Sequence, residues 1–236
     1  MSDQDNSSQE QHHNSSRKFI LGADPGKHGA VVLYNIHDRS DVILIPSKVT
    51  KDGMLDTSYL LQELKPYASD ICIAAMEKVH ALFGSSAAGT FSFGEAVGSL
   101  RTVLSLLRDF EEGAFEFIEV QPKIWQKVAW AGTDVVKGEA VINSKTGVPK
   151  VLKNGEIRRK TDTKATSLKA AGEIFHGVSF VPKRCRIVHD GCIDAALIAY
   201  YAELYYTGKL KKAAASSSKC SRRSARASAG SRTKLP

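Results

Sequence analysis

The run Ile71-Cys72-Ile73-Ala74-Ala75-Met76 constrains this chain more than any other segment. A stretch this short, apolar and without alternation reads as a β-strand buried on both faces. Such a strand needs helices above and below its sheet, so an α/β layer architecture is expected. The run delivers Glu77 at its C-terminal end, where open α/β sheets hold their sites. A carboxylate there must be solvated, paired or metal-bound, because burying a bare charge is very costly.

The flanking pattern extends this reading. Lys18 to Ala23, Ala30 to Ile36 and Val42 to Pro46 are short apolar pieces, the first two separated by Asp24-Pro25-Gly26, which predicts a three-strand meander. Helical spacing follows over Asp56–Tyr67. A Gly/Ser/Ala-rich stretch at 84–89 leads into a long helix over about 93–110 with Val97, Leu100, Val103, Leu104 and Leu107 on one side. Phe115 to Val120 predicts a fifth strand, stopped by Gln121-Pro122 and followed by a short helix carrying Trp125. Two further helices are expected over about 162–175 and 190–206.

The whole predicts a mixed five-stranded sheet flanked by helices, three antiparallel strands continued by parallel crossovers. That is the element order of the ribonuclease H-like fold.

The chain has 236 residues and a net charge of +8, and the charge is unevenly placed. From Lys209 onward there are nine basic residues and no acidic one. This Ser/Ala/Arg-rich segment, 208–236, has too little apolar content for a core and is expected to be a disordered arm with affinity for polyanions. Residues 1–16 are polar and read as a disordered leader, without the apolar or Arg-rich pattern of a secretory or transit signal. The folded domain is expected over 17–207. Within it a polar insert at about 131–160 predicts a hairpin or flexible flap, and Lys137 to Lys169 carries nine basic against three acidic residues. No run approaches the length of a membrane helix. Four scattered cysteines without a C-x-x-C pair signal neither zinc nor a disulfide framework, which fits a reducing, intracellular compartment.

Asp190 and Asp194 stand four apart at the start of an apolar helix and so share one face. Such a pair repels unless a cation or the helix N-terminus compensates, although Asp190 could serve simply as an N-cap. Asp24 precedes a Pro-Gly turn, where an aspartate also commonly caps its own backbone. A phosphate-binding turn of the actin and hexokinase type is a further reading of Asp24. Four oxygen donors without a cysteine or histidine pattern suit Mg²⁺ or Mn²⁺. Two such ions can activate water and stabilise a leaving 3′ oxygen, which is phosphodiester hydrolysis.

Taken in order, LGADPGKHGAVVLY from Leu21, AAMEKVHALFGSSAAGTFSFGEAVGSL from Ala74, VQPKIWQK from Val120, DTKATSLKAAGEIF from Asp162 and HDGCIDAALIAYY from His189 resemble the RuvC-type Holliday junction resolvases. The similarity is to their phage, viral and plastid branches and spans about 18–206. The resemblance implies a ribonuclease H-like homodimer that binds four-way DNA junctions and makes paired symmetric nicks with Mg²⁺, two ions per site. By motif it implies Asp24, Glu77, Asp190 and Asp194 as catalytic metal ligands. Lys78, His80, Phe83, Lys160, Lys164 and Lys169 are candidate DNA contacts. His80, Leu82 and Phe83 could wedge into an open junction centre, and His189 could donate a proton or contact phosphate. Gly94 and Gly98, four apart, would permit close helix approach in a dimer, or merely pack on the sheet.

The chain departs from the family pattern in two places: Gly191-Cys192-Ile193 stands between the aspartates where relatives often have Gly-Arg-Ala, and the polar insert is longer than in compact members. Another ribonuclease H-like nuclease, acting on flaps or RNA:DNA hybrids, and a non-cleaving DNA-architectural protein are the alternative functions.

Overall fold

The structure is a computed structural model that describes residues 17–79, 86–110 and 115–210. Its centre is a five-stranded sheet in the order β3-β2-β1-β4-β5, built from β1 (Phe19–Asp24), β2 (Ala30–Asn35), β3 (Asp38–Pro46), β4 (Ile71–Glu77) and β5 (Glu116–Val120). β1, β2 and β3 pair antiparallel, whereas β4 lies parallel to both β1 and β5. This is the ribonuclease H-like arrangement that the element order predicts.

Strand periodicity divides the core in two. Leu21, Val31, Leu33, Ala74 and Met76 face α1 (Thr57–Leu64) and α2 (Ala87–Phe110), packing on Leu60, Leu64, Val97, Leu100 and Leu104. Ile20, Val32, Tyr34, Ile73 and Ala75 face the other side. There they meet α3 (Pro122–Ala129), α4 (Thr163–Ile174) and α5 (Asp190–Tyr206) through Trp125, Phe175, Ile193 and Leu197. β4 is buried on both faces, as its unbroken apolar run requires.

α5 is buried nearly all round and packs across β1, β2 and β4 and against α3 and α4. Its backbone rests directly on β1. A Cβ added at Gly22 would lie 2.0 Å from the Ala195 carbonyl oxygen, and one added at Gly191 would lie 2.6 Å from that of His28. Both positions therefore have to be glycine, and they set how deeply the helix sinks onto the sheet. At its far end Glu203, only 4% exposed, accepts from the Tyr34 hydroxyl at 2.6 Å and from both Arg39 Nε (3.1 Å) and Nη2 (2.7 Å). This bidentate pair fixes α5 to the β2–β3 hairpin.

Several boundaries differ from the sequence expectations, each for a local reason. The helix expected over 56–67 is α1 capped by Asp56, which accepts from the Tyr59 N–H at 2.9 Å. It tightens into a 3₁₀ turn, Lys65–Asp70, where Pro66 supplies no N–H to continue an α-helix. The long helix starts at Ala87 instead of about 93, because Ser86 Oγ accepts from the Gly89 N–H at 3.1 Å and Ala87-Ala88 are good helix formers. The insert is an ordered β-lobe, with β6 (Lys137–Ala140) and β7 (Arg159–Thr161) paired antiparallel at its base. The expected leader at 1–16 and all but the first residues of the expected tail lie outside the described residues. Among the described residues no helix is long and apolar enough to cross a membrane. Cys72 and Cys192 are buried free thiols and Cys185 an exposed one.

The contact at Gly22 gives a direct check. Gly22→Ala should destabilise the protein by about 3 kcal/mol, lowering Tm by roughly 6–12 °C. Gly172→Ala, on the exposed side of α4 with nothing within 4 Å, should instead stabilise by up to about 1 kcal/mol. Urea unfolding of the two variants measures both.

Candidate active site

Asp24 and Glu77 are the last residues of the two central parallel strands. The ladder pairs Ala23 with Met76, so the carboxylates that follow lie side by side, roughly one strand spacing of about 4.8 Å apart along the backbone. Ala23 and Met76 point into the α1/α2 core, which sends Asp24 and Glu77 to the opposite face, under α5. The helix seats its first turn against the β1–β2 turn through Gly191, and Asp194 one turn later joins the two strand-end acids.

The electrostatics show that three of the four acids share one environment. Asp24 retains partial exposure as a residue, but its carboxyl is surrounded by protein and is pushed well above the usual carboxylate range. Burial is the main cause, followed by the charges of Asp194 and then Glu77. Glu77 is also raised by burial, opposed by the hydrogen bond that Trp125 donates and reinforced by Asp194. Asp194 is raised by burial, held down by a hydrogen bond with Ser167, and raised again by Asp190. Asp190 is different: exposed at the rim, it receives Lys164 Nζ at 2.5 Å.

Three contacts that position the acids come from residues distant in the chain. Trp125, 1% exposed, donates from Nε1 to Glu77 Oε2 at 2.8 Å. Its placement has a local origin: β5 runs parallel to β4 with Val120 opposite Glu77, Pro122 opens α3 at once, and the first turn carries the indole back to the carboxylate. Ser167 and Lys164 both come from α4 and reach Asp194 and Asp190 respectively. The only sequence signal for these contacts is that Trp125, Lys164 and Ser167 lie on predicted helices, with Lys164 a candidate DNA contact.

The helix start also corrects an assignment. His189, not Asp190, is the N-cap of α5, with Nδ1 accepting from the Cys192 N–H at 3.2 Å. That contact gives His189 a structural duty through Nδ1. Asp190 is thereby the first residue of the helix proper, where a negative charge suits the dipole. Lys78 is exposed just beyond β4, and its N–H donates to the Val120 carbonyl at 2.7 Å. Lys160 lies in β7, and Lys169 pairs with Asp134 at 3.2 Å. His80, Leu82 and Phe83 fall outside the described residues.

Glu77 is turned toward Trp125 and Asp190 toward Lys164. In these orientations no group of three or more His, Cys, Asp or Glu among the described residues stands close enough to hold one ion. The donor chemistry nevertheless suits a hard divalent cation. Asp24, Glu77 and Asp194 are all oxygen donors, and each is penalised as an anion both by burial and by another acid. A bound cation would relieve both penalties.

No protein-family model matches the chain, and no curated protein matches it. Among solved structures, the chain is similar to the yeast mitochondrial Holliday junction resolvase Ydc2 at 16% identity. The match covers 86% of this chain and 85% of that one, with a TM-score of 0.44.

The raised pKa of Asp24 has a definite sign in stability. The folded state holds a proton that the unfolded chain has already released, so stability falls as pH rises from the ordinary aspartate range through the elevated folded value. In EDTA, Asp24→Asn should therefore melt higher than the wild-type protein at pH 7–8, with the difference vanishing near pH 4. Thermal denaturation across that range, at about 2–4 °C per kcal/mol, measures it.

Proposed function

We propose that this protein is a Mg²⁺-dependent, structure-selective endonuclease that resolves four-way DNA junctions by paired, symmetric phosphodiester hydrolysis. The observation that carries the reading is the convergence of Asp24, Glu77 and Asp194, from β1, β4 and α5, at one end of the sheet, each raised in pKa chiefly by burial and further by a neighbouring acid. Three carboxylates crowded into a partly desolvated pocket oppose folding, and a phosphodiester-cleaving metal site is a physical reason to keep them.

In this reading Asp24, Glu77 and Asp194 hold the metal, with Asp190 completing the set at the rim. Mg²⁺ or Mn²⁺ bound there would supply Lewis acidity and lower the pKa of an attacking water. The protein's own groups do the rest. Trp125 orients Glu77 and stabilises it as an anion, and Ser167 does the same for Asp194. Lys164 pairs with Asp190 at the rim and is positioned to exchange that carboxylate for a phosphate oxygen entering the site. Lys78 is exposed at the end of the Glu77 strand, where it could meet the same backbone.

Two copies would be needed to address two strands of a junction with approximate two-fold symmetry. Support for a homodimer comes from α2. Phe93 packs into the core, but Phe91 is 76% exposed, and added Cβ atoms at Gly94 and Gly98 would meet nothing within 4 Å. The glycines therefore do not serve packing on the sheet. They leave a shallow face on which a second α2 could lie.

End-labelled four-way junction, linear duplex, flap and RNA:DNA hybrid, incubated with the protein and Mg²⁺, distinguish the alternatives. Symmetric nicks confined to the junction are expected, and Asp24→Asn or Asp194→Asn should slow them at least ~10²-fold. Nicking by Asp24→Asn at the wild-type rate would sink the assignment. Trp125→Phe, which keeps an aromatic side chain but loses the pyrrole ring and its N–H donor, should raise the Mg²⁺ concentration for half-maximal rate about 10-fold while leaving the rate at saturating metal nearly unchanged.

A further inference from the structure

The insert between α3 and α4 forms a small β-lobe whose order comes from its own backbone. Val141 N–H donates to the Arg158 carbonyl at 2.8 Å, Arg158 N–H to that of Lys150 at 2.8 Å, and Lys150 N–H to that of Val141 at 2.8 Å. This closed triangle locks three segments together above the β6–β7 ladder. Bridges at Ile142–Pro149 and Val151–Ile157 close the two turns that project from it. Each turn is built by an Asn and a Gly: Asn143 Oδ1 accepts from the Lys145 N–H, Asn154 Oδ1 accepts from the Glu156 N–H, and Gly147 and Gly155 adopt φ of 70° and 85°. Lys145 and Lys153 ride on these turns, and the triangle sets Lys150 beside Arg158.

The lobe carries seven basic residues against two acidic ones between Val136 and Thr161, all seven exposed. Among the described residues none of the seven has an ion-pair partner. Lys164 and Lys169 on the adjoining helix, by contrast, are both paired with aspartates. A concavity of about 410 Å³ opens between the turns, with Lys150 and Arg158 among its lining residues, beside Asn143 and Thr146. Exposed Ile142, Val148, Val151, Leu152 and Ile157 contribute an apolar surface that a purely solvating charge cluster would not need.

The base of the lobe is fastened to the site. Asp162 N–H donates to the Val136 carbonyl at 2.9 Å, and Val136 N–H donates to Thr166 Oγ1 at 3.1 Å. Its last strand runs directly into α4, the helix that supplies Lys164 and Ser167 to the acids. A polyanion held by the lobe is therefore held next to the acid cluster.

We infer that the lobe is a nucleic-acid grip: Lys145, Lys150, Lys153 and Arg158 hold the sugar-phosphate backbone of a DNA duplex arm leaving the active site. They supply most of the salt-dependent affinity, which leaves Lys164 to the chemistry. The inference rests on the nuclease reading for the identity of the polyanion, but not on cleavage. A two-stranded β-ribbon is an element that a duplex groove can admit, and phosphate contacts position DNA without reading its sequence.

The test is equilibrium binding of fluorescently labelled four-way junction and linear duplex to the full chain in EDTA, as a function of NaCl. Each lost phosphate contact flattens the slope of log K against log[salt] by about 0.9. The variant K145A/K150A/K153A/R158A should therefore be flatter by about 2–3.5 on both DNAs. The charge-preserving variant K145R/K150R/K153R/R158K should keep the wild-type slope, and the melting temperature of each variant reports whether it is folded. A wild-type slope in a folded alanine variant overturns the inference, as does equal loss in the charge-preserving variant. Steep, lobe-dependent binding by a protein that nicks no junction would uphold the grip and defeat the nuclease reading. Junction nicking with lobe-independent binding would do the reverse.

Discussion

The depth at which α5 sits on β1 governs the rest of this molecule. Backbone meets backbone at Gly22 and again at Gly191, so the helix axis comes closer to the sheet than ordinary side chains would permit. That approach carries Asp194 to the ends of β1 and β4 and buries the helix on almost every side. With little freedom left to tilt, α5 is secured at its other end by Glu203, whose two oxygens take the Arg39 fork and the Tyr34 hydroxyl. A buried carboxylate is acceptable there because it is fully paired. Asp194, a carboxylate near the opposite end of the same helix, has a serine hydroxyl in place of such an ion pair.

That contrast separates structure from function. Glu203 is a buried acid whose hydrogen-bonding capacity is met. Asp24, Glu77 and Asp194 are crowded acids compensated only in part, by one indole N–H and one serine hydroxyl. Folding alone gives no reason to place three such groups together, since burial and repulsion both raise the free energy of their ionised forms. Their arrangement stores strain that a cation would release, the pattern expected where a protein gives up stability for chemistry.

The lobe adds a second kind of specialisation. It is held together by backbone hydrogen bonds and turns, with little apolar interior, so its side chains are left for surface work. Such a module can gain or lose cations without disturbing the core.

Much of the sheet and one face of the site were legible in the residues. The unbroken apolar run of β4, the Asp-Pro-Gly turn and the i, i+4 aspartates are local signals, because strand burial, turn geometry and helix periodicity are properties of consecutive residues. What stayed hidden depends on distance in the chain. Trp125 is legible only as a member of a short helix, yet it tethers Glu77, 48 residues away; Glu203, which no local pattern singles out, is the buried anchor of Arg39. His189 displaced Asp190 from the N-cap because the incoming segment fixes where the helix begins. The sequence by itself thus determined which strands and helices form and which acids end them. Only the tertiary structure decided which of those acids share a pocket and which cations remain unpaired, because desolvation and pairing are set by neighbours that folding brings together.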